Sequence, residues 1–216
     1  MHIQRLSEDG DIPRRLIQAA SEVFARHGYA GSRIREIVRE AEVHFAAVNY
    51  YFGGKEGLYA ATLKQLAAQR TVEPVRPAGR GENAEDALYQ QVLAILQRYV
   101  DGENNSTLGR ILAHESMNPT ENFEQLITDL VRPELERLVA IVRRLAGDGA
   151  DEVSVNRAAM SVMGQCLFYL FARGALDRIY PHSAESRRDC EALARHITGF
   201  SLMGIAVHSS RAARAA

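Results

Sequence analysis

Apolar residues recur at intervals of three and four along almost the whole chain, and no stretch of useful length alternates apolar with polar residues. The first pattern places side chains on one face of an α-helix, whereas the second is typical of a half-buried strand. We therefore predict an all-α fold. A chain of 216 residues, 46% of them hydrophobic and 25% charged, has a globular composition and is long enough to bury a core.

The first seventy residues predict three short helices and a longer one. Pro13 is favoured at a first helical position, and Gly28 is suited to end that helix in the left-handed conformation. Ser32 is a candidate N-cap for the second helix, and two glycines at positions 53 and 54 separate the third helix from the fourth. The predicted helices cover residues 13–27, 32–41, about 44–52 and 55–70.

Residues 71–83 form a connector rich in proline and glycine, which is typical of a loop or linker. The connector predicts a boundary between the N-terminal part of the chain, with a small helical domain at 1–55 and a connecting helix at 55–70, and a larger helical domain at 71–216. In the larger domain we predict a kink at Pro133, a turn at 147–149 and a loop at Tyr180-Pro181. The predicted helices there cover residues 84–100, 107–117, 123–145, 153–173 and 187–208.

The second and third helices are joined by a tight turn at Glu42-Val43. Two short helices around such a turn form a helix-turn-helix, whose second helix enters the major groove of DNA. Apolar residues at the positions that hold such a unit together are present in all three helices and in the turn. They are Phe24, Ile37, Val38, Val43, Val48 and Phe52.

Val48 and Phe52 point inward in this arrangement, so the other side of the third helix is exposed. Asn49 can both donate to and accept from adenine, and His44 can bond a base edge or a phosphate. The tyrosine hydroxyls can donate hydrogen bonds to phosphates, and so can Lys55, which lies at a helix N-terminus. Phe45 and Ala46 can make apolar contact with a thymine methyl group. The candidate DNA contacts are Ser32, Arg33, Arg35, His44, Phe45, Ala46, Asn49, Tyr50, Tyr51 and Lys55.

Residues 14–63 resemble the N-terminal domain of the TetR family of bacterial transcription regulators. The resemblance rests on Phe24 four residues before Gly28-Tyr29, on Ser32 ahead of the second helix, and on Tyr50-Tyr51-Phe52 before Lys55-Glu56. It implies a transcription regulator, usually a repressor. Glu42 stands where the family usually has a turn glycine, so we expect a strained backbone there.

The stretch LGRILAHESMNPT, with the later VRPELERL, resembles the C-terminal domain of the CecR-type branch of that family. The resemblance implies a helical ligand-binding and dimerisation domain, with the last two long helices as the interface of a homodimer. Small residues among large apolar ones fit close crossing of those helices. The candidate interface residues are Met160, Met163, Gly164, Leu167, Phe171, Leu193, Ile197, Phe200, Met203 and Gly204.

A homodimer would read a palindromic operator in double-stranded DNA, and a small, largely apolar ligand would shift the dimer away from that operator. The candidate ligand contacts are Tyr99, Leu112, His114, Glu115, Met117, Phe123, Phe168 and Tyr169. Side chains of these types also fill ordinary cores. The sequence identifies neither the ligand nor the direction of its effect.

No phosphate loop or catalytic set stands at a persuasive spacing, so we expect no enzyme, no cofactor and no metal site. His114-Glu115 begins like a zinc-protease motif, but Asn118 stands where the second histidine belongs. No segment has the roughly 18 apolar residues of a membrane helix, and Cys166 and Cys190 fit reduced thiols of a cytoplasmic protein. Two alternatives remain open: a small-molecule binding protein without operator function, and a helical metal-dependent hydrolase that uses His114 and Glu115.

Overall fold

The computed structural model describes residues 3–68, 83–100, 107–147, 149–180 and 189–215, and every regular element in those ranges is helical. The predicted all-α fold is confirmed. The helices are α1 (Ile3–Gly31), α2 (Ile34–Glu40), α3 (Ala46–Phe52), α4 (Lys55–Ala68), α5 (Ala84–Tyr99), α6 (Thr107–Met117), α7 (Phe123–Leu126), α8 (Arg132–Ala146), α9 (Glu152–Phe171), α10 (Arg173–Ile179) and α11 (Cys190–Ala215), with a π-helical segment at Ile127–Val131.

Helix α1 begins ten residues before the predicted start, so Pro13 lies inside it. A proline within a helix removes one hydrogen bond and crowds the preceding turn, but it does not always end the helix. At the other end, Gly28 has a φ of 67° and a ψ of 176°, so it interrupts the helical conformation where predicted, before a last turn to Gly31. A Cβ at Gly28 would also lie 3.0 Å from Nδ1 of His114, so glycine meets two requirements there.

The chain divides into two compact units. The first contains the described residues up to 68 together with residues 110–126, and the second contains the described residues of 72–109 and 127–216. The first unit is therefore discontinuous in sequence, unlike the predicted division at the connector. Residues 69–82 lie outside the described ranges, and with them most of that connector.

The core of the first unit is built from α1 to α4. Phe24, Ile37 and Val48 are all at most 1% exposed, as their predicted role in holding the helix-turn-helix requires. The ring of Tyr59 from α4 completes this core, with its centroid 4.6 Å from that of Phe24 in an edge-to-face arrangement. Burial of each such side chain contributes about 1.5–3 kcal/mol to stability, which holds α1 to α4 together.

The second unit is a helical bundle of α5, α8, α9 and α11. Its core includes a buried carboxylate, Glu134, which is 1% exposed, accepts a hydrogen bond from Gln91 Nε2 (2.5 Å) and pairs with Arg98. A buried charge is tolerated only when it is paired in this way. Cys166 is buried as a free thiol, and its burial raises its pKa to about 12; Cys190 is buried as well.

Two predicted helices of the second unit differ in the structure. The single helix predicted at 123–145 is divided into α7, the π-helical segment and α8, and Pro133 lies in the first turn of α8, where proline is favoured. Helix α9 ends at Phe171, and the separate α10 follows it. The start of α9 is capped by Asp151, whose carboxylate accepts a hydrogen bond from Ser154 N at 2.9 Å.

Within the described residues, no helix is both long and apolar enough to cross a membrane.

Candidate nucleic-acid interface

The turn between α2 and α3 has the tight form that a helix-turn-helix needs. The Ala41 and Val43 N–H groups donate to the carbonyls of Ile37 (2.8 Å) and Val38 (3.0 Å), which closes the end of α2. Glu42 has a φ of 52°, and the strained backbone expected at this position is confirmed. Glu42 therefore adopts a backbone conformation that glycine would adopt without strain.

Helix α3 presents one buried and one exposed side. Val48 is 1% exposed, whereas Phe45 is 51% and Tyr50 82% exposed. His44, Ala46 and Asn49 are exposed as well. The structure thus places these five predicted DNA contacts together on the exposed side of α3 and the residues before it.

Tyr50 and Tyr51 form an edge-to-face pair with ring centroids 4.8 Å apart. Tyr51 is half-buried, and its ring lies 6.5 Å from that of Phe52. The Tyr51 ring therefore supports the exposed Tyr50 ring from the protein side. This geometry restricts the orientation of Tyr50 without covering its hydroxyl group.

The N-cap role predicted for Ser32 is wrong. Arg33 occupies the N-cap position of α2, and no side chain caps that helix. Ser32 is only 4% exposed, and its hydroxyl donates to the carbonyl of Tyr29 at 2.8 Å. The last turn of α1, which the sequence did not predict, supplies that acceptor. Arg33 and Arg35 are exposed beside it.

Lys55 is more involved in the protein interior than predicted. Its ammonium donates to the carbonyl of Ser32 at 2.8 Å and lies 4.6 Å from the ring centroid of Tyr29. Burial lowers the pKa of Lys55. Lys55 therefore ties the start of α4 to the segment that leads into α2, and only part of its donor capacity is available to a phosphate.

A cleft of about 600 Å³ lies within the first unit, between the end of α1, Glu56 of α4, residues 114–115 and residues 118–122. It contains two of the predicted ligand contacts, His114 and Glu115. The Glu115 carboxylate is 1% exposed and accepts from Tyr59 Oη (2.6 Å) and from Thr120 N (2.9 Å). Because these donors occupy the carboxylate, Glu115 is poorly placed to act as the base of a hydrolase.

The tyrosines beside this cleft are held in the neutral, donating form. Burial raises the pKa of Tyr59, and the hydrogen bond to Glu115 raises it further. Burial also raises the pKa of Tyr29, as do the nearby carboxylates of Glu56 and Glu121. Among the described residues, no group of three or more His, Cys, Asp or Glu side chains comes together to hold a metal ion.

The remaining predicted ligand contacts do not line this cleft. Tyr99 and Leu112 are buried, whereas Met117 is 78% and Phe168 54% exposed. Phe123 and Tyr169 are half-buried. The helical spacing of apolar residues predicts that a face of each helix is buried, but it does not tell which other helix packs against that face.

The second unit carries an exposed apolar face on α9 and α11, which pack against each other. Met160 and Phe171 of α9 and Phe200 and Met203 of α11 are 47–72% exposed. The glycines predicted beside them, Gly164 and Gly204, have open space where a Cβ would stand. Phe168 shares this exposure, so we assign it to this face rather than to a ligand site. We call this set the α9–α11 face.

Three residues predicted for the dimer interface belong to the core of the second unit instead. Met163 and Leu193 are 8% exposed and Ile197 is 1% exposed. Leu167 is half-buried. The helical spacing of apolar residues covers more than one face of α9 and α11, and only the structure separates the inner face from the outer one.

A helix-turn-helix with an exposed α3, joined in one chain to a larger helical unit, defines a DNA-binding transcriptional regulator. Residues 16–62 match the family described as bacterial regulatory proteins, tetR family. Residues 84–205 match the C-terminal domain of the HTH-type transcriptional dual regulator CecR. The chain belongs to the TetR family, with a CecR-type C-terminal domain, and is a DNA-binding transcriptional regulator.

Similar proteins have related descriptions. The HTH-type transcriptional repressor NicS of Pseudomonas putida is 26% identical over 163 residues, which cover 71% of this chain and 73% of NicS. The transcriptional dual regulator CecR of Shigella flexneri is 24% identical, covering 72% of this chain and 74% of CecR. The structure of FadR from Bacillus subtilis in complex with stearoyl-CoA shares the fold, with a TM-score of 0.60 at 20% identity over 88% of this chain and 98% of FadR.

Sequence reasoning missed one contact of the helix-turn-helix. Arg15 of α1 donates from Nη2 to the carbonyl of Glu42 at 3.1 Å. The two residues are 27 positions apart, and no local pattern relates a basic residue on α1 to this turn. The strained backbone expected at Glu42 is the one sequence signal that could have prompted a search for such a partner.

Proposed function

We propose that this regulator is a ligand-responsive homodimeric repressor that binds a palindromic operator through α3. The observation that carries the proposal is the exposed group of His44, Phe45, Ala46, Asn49 and Tyr50 on a helix whose opposite side is buried through Val48. The group includes an amide, which can bond adenine, and apolar side chains, which can meet a thymine methyl; both are kinds of side chain that direct readout uses. The description of NicS as a repressor supports the direction of regulation.

Each residue of the proposed interface has a role that its chemistry suggests. Asn49 reads adenine by donating and accepting, and His44 bonds a base edge or a phosphate. Phe45 and Ala46 meet thymine methyl groups, while Tyr50, Arg33 and Arg35 hold the DNA backbone. Ser32 is no longer part of the proposed set, because its hydroxyl is buried and already bonded. Tyr51 contributes by supporting Tyr50.

Dimerisation through the α9–α11 face gives the recognition helices their spacing. A single recognition helix contacts few base pairs, whereas a twofold dimer reads two half-sites about 34 Å apart, or a multiple of that distance. The exposed apolar side chains and the open glycine positions of the α9–α11 face support this choice. In a monomer these large apolar side chains would stay in contact with water.

The ligand we propose is a small, largely apolar molecule bound by the second unit, with Tyr99 and Tyr169 as candidate contacts. The acyl chain of the stearoyl-CoA bound to FadR is an example of this chemistry in a protein of the same fold. Ligand and operator would oppose each other's binding through one coupling free energy, typically of about 1–3 kcal/mol. His114 and Glu115 line a polar cleft and fit this ligand poorly.

Selection of bound duplexes from a random DNA pool tests the proposal. The purified protein is used at about 150 mM salt, where nonspecific phosphate contacts are partly screened. Recovery of a palindrome would support a sequence-specific dimer. Recovery of unrelated sequences, from protein shown to be folded, would favour a binding protein without operator function.

A further inference from the structure

We propose that Arg15 is a positioning residue for DNA reading: its guanidinium holds Glu42 in the left-handed conformation and thereby sets the orientation of α3. This proposal rests on the proposed function, because it assigns Arg15 to the geometry of the reading helix. Arg15 itself lies on α1 and contacts Glu42 in the turn before α3. Its effect on DNA binding is therefore exerted through the turn.

The turn has a local reason to change conformation. In the part of the chain that the structure describes, Glu42 is the one residue other than glycine with a positive φ. The Cβ of an L-residue crowds the following carbonyl oxygen in this conformation, and a glutamate side chain does not relieve that strain as glycine would. The Glu42 and Val43 amides donate to the carbonyls of Arg39 (3.2 Å) and Val38 (3.0 Å) and stabilise this conformation in part. A further contact specific to the left-handed state is required if it is to offset the remaining strain.

The contact with Arg15 meets this requirement. Arg15 Nη2 donates to the Glu42 carbonyl oxygen at 3.1 Å, and the same nitrogen lies 3.5 Å from Glu42 Oε2. The direction of a carbonyl depends on the backbone dihedrals of its own residue, so this hydrogen bond is lost when Glu42 changes conformation. A contact present in one of two conformations shifts the population toward that conformation.

The carbonyl contact matters more than the ion pair in this argument. The Glu42 side chain is 84% exposed, and exposed ion pairs contribute little to stability. The match to the tetR-family model begins at residue 16, so Arg15 lies just outside it. A turn glycine, usual in proteins that this chain resembles, needs no such partner, whereas a glutamate at this position does.

The turn controls α3 because the reading residues follow it directly. His44 and Phe45 come two and three residues after Glu42, and α3 begins at Ala46. Rotation at Glu42 therefore displaces the start of α3 relative to α2. Hydrogen bonds to base edges need donor–acceptor distances of about 2.7–3.2 Å, so a displacement of an ångström is enough to lose them.

The first test needs no DNA. Hydrogen exchange of the Val43 amide, which donates to the Val38 carbonyl across the turn (3.0 Å), is measured in the full-length chain. We expect Arg15→Ala to accelerate this exchange by at least about fivefold, with the exchange of core amides in α4 unchanged. Arg15→Ala combined with Glu42→Gly should return the rate to that of Glu42→Gly alone, because glycine adopts the turn without support.

Arg14→Ala is the matched control. Arg14 is the neighbouring residue on α1, its side chain is 76% exposed, and it pairs with Asp11 of the same helix. The substitution removes the same charge without touching the turn, so we expect no change in Val43 exchange. Unchanged exchange in Arg15→Ala, or acceleration that persists fully in the double variant, would overturn the proposal.

The second test measures affinity for the duplex that the wild-type protein selects from a random pool. We expect Arg15→Ala to weaken binding by about tenfold, and the double variant to bind within about threefold of Glu42→Gly. Equal weakening in both backgrounds, with a salt slope smaller by about one unit, would make Arg15 a phosphate contact and contradict its positioning role. A wild type that selects no duplex contradicts the proposed function, while Val43 exchange still decides whether Arg15 positions the turn.

Discussion

The Tyr59 hydroxyl joins α4 to α6 through a buried hydrogen bond of 2.6 Å to Glu115. Tyr59→Phe would leave the Glu115 carboxylate buried with only its Thr120 donors. We expect the free energy of unfolding to fall by about 1–3 kcal/mol, the usual cost of a buried polar group that loses a partner. Urea denaturation measures this change.

Tyr50→Phe is the matched control for that measurement. It removes the same hydroxyl group from a side chain that is 82% exposed, so we expect a change within about 0.5 kcal/mol. Equal losses of stability in the two variants would show that the Tyr59 hydroxyl contributes nothing beyond its ring. Tyr50→Phe should also reduce DNA affinity if the phenol contacts a phosphate.

Lys55→Ala separates a structural role from a DNA contact. The variant loses the bond to the Ser32 carbonyl, and we expect the free energy of unfolding to fall by about 1 kcal/mol. A lysine ammonium has three N–H groups, so it can bond Ser32 and a phosphate together. We therefore also expect weaker binding to all duplexes and a salt slope smaller by about one unit. An unchanged slope would limit Lys55 to holding the backbone at Ser32.

At the scale of the elements, periodicity predicted what depends on local sequence. The inward positions Ile37, Val38 and Val48 follow from helical spacing, and they are buried. The replacement of a turn glycine predicted a strained backbone at Glu42, and the structure shows it as a positive φ. Long-range partners were not predictable in this way, because no local pattern encodes the bond from Arg15 to a carbonyl 27 residues later.

The two faces of α9 and α11 show the same limit. Apolar residues occupy most positions of both helices, so spacing alone grouped the buried Met163 and Ile197 with the exposed Met160 and Met203. Which face packs inward depends on α5 and α8, which lie elsewhere in the chain. The exposed side is the part that a partner protomer can still cover.

The α9–α11 face makes a prediction about assembly. Phe200→Glu and Met203→Glu each introduce a charge into an exposed apolar face, where burial of an unpaired carboxylate is costly. We expect each to weaken dimerisation by at least about tenfold, as measured by light scattering over a concentration series. The helical content of the variants, followed by circular dichroism, should stay unchanged because both side chains are exposed in the single chain.

Ile179→Glu is the matched control for these variants. Ile179 is 64% exposed, close to the 67% of Phe200, but it lies on α10. We expect it to leave the dimer and its affinity for DNA intact. Dimers of normal affinity in both Phe200→Glu and Met203→Glu would mean that the interface lies elsewhere on the chain.

At the scale of the whole molecule, periodicity predicted an all-helical chain, and the all-α fold confirms it. The DNA-binding regulator was predicted from the helix-turn-helix together with the resemblance of residues 14–63, and the family assignment agrees. The assignment of residues 110–126 to the first unit was not predictable. Within that segment Glu115 bonds Tyr59 of α4, and a His-Glu pair within a helix gives no local sign of this bond. The cleft beside His114 is a consequence of the same packing.

The most direct test of the central claim, that α3 reads DNA sequence, repeats the random-pool selection with Asn49→Ala beside the wild type. Loss of the amide should cost about 1–3 kcal/mol at one base pair of each half-site. We predict that both proteins recover the same palindrome except at that position, where the variant accepts any base. Identical preferences at every position, or a uniform loss of affinity for all duplexes, would contradict base reading by Asn49 and the orientation assigned to α3.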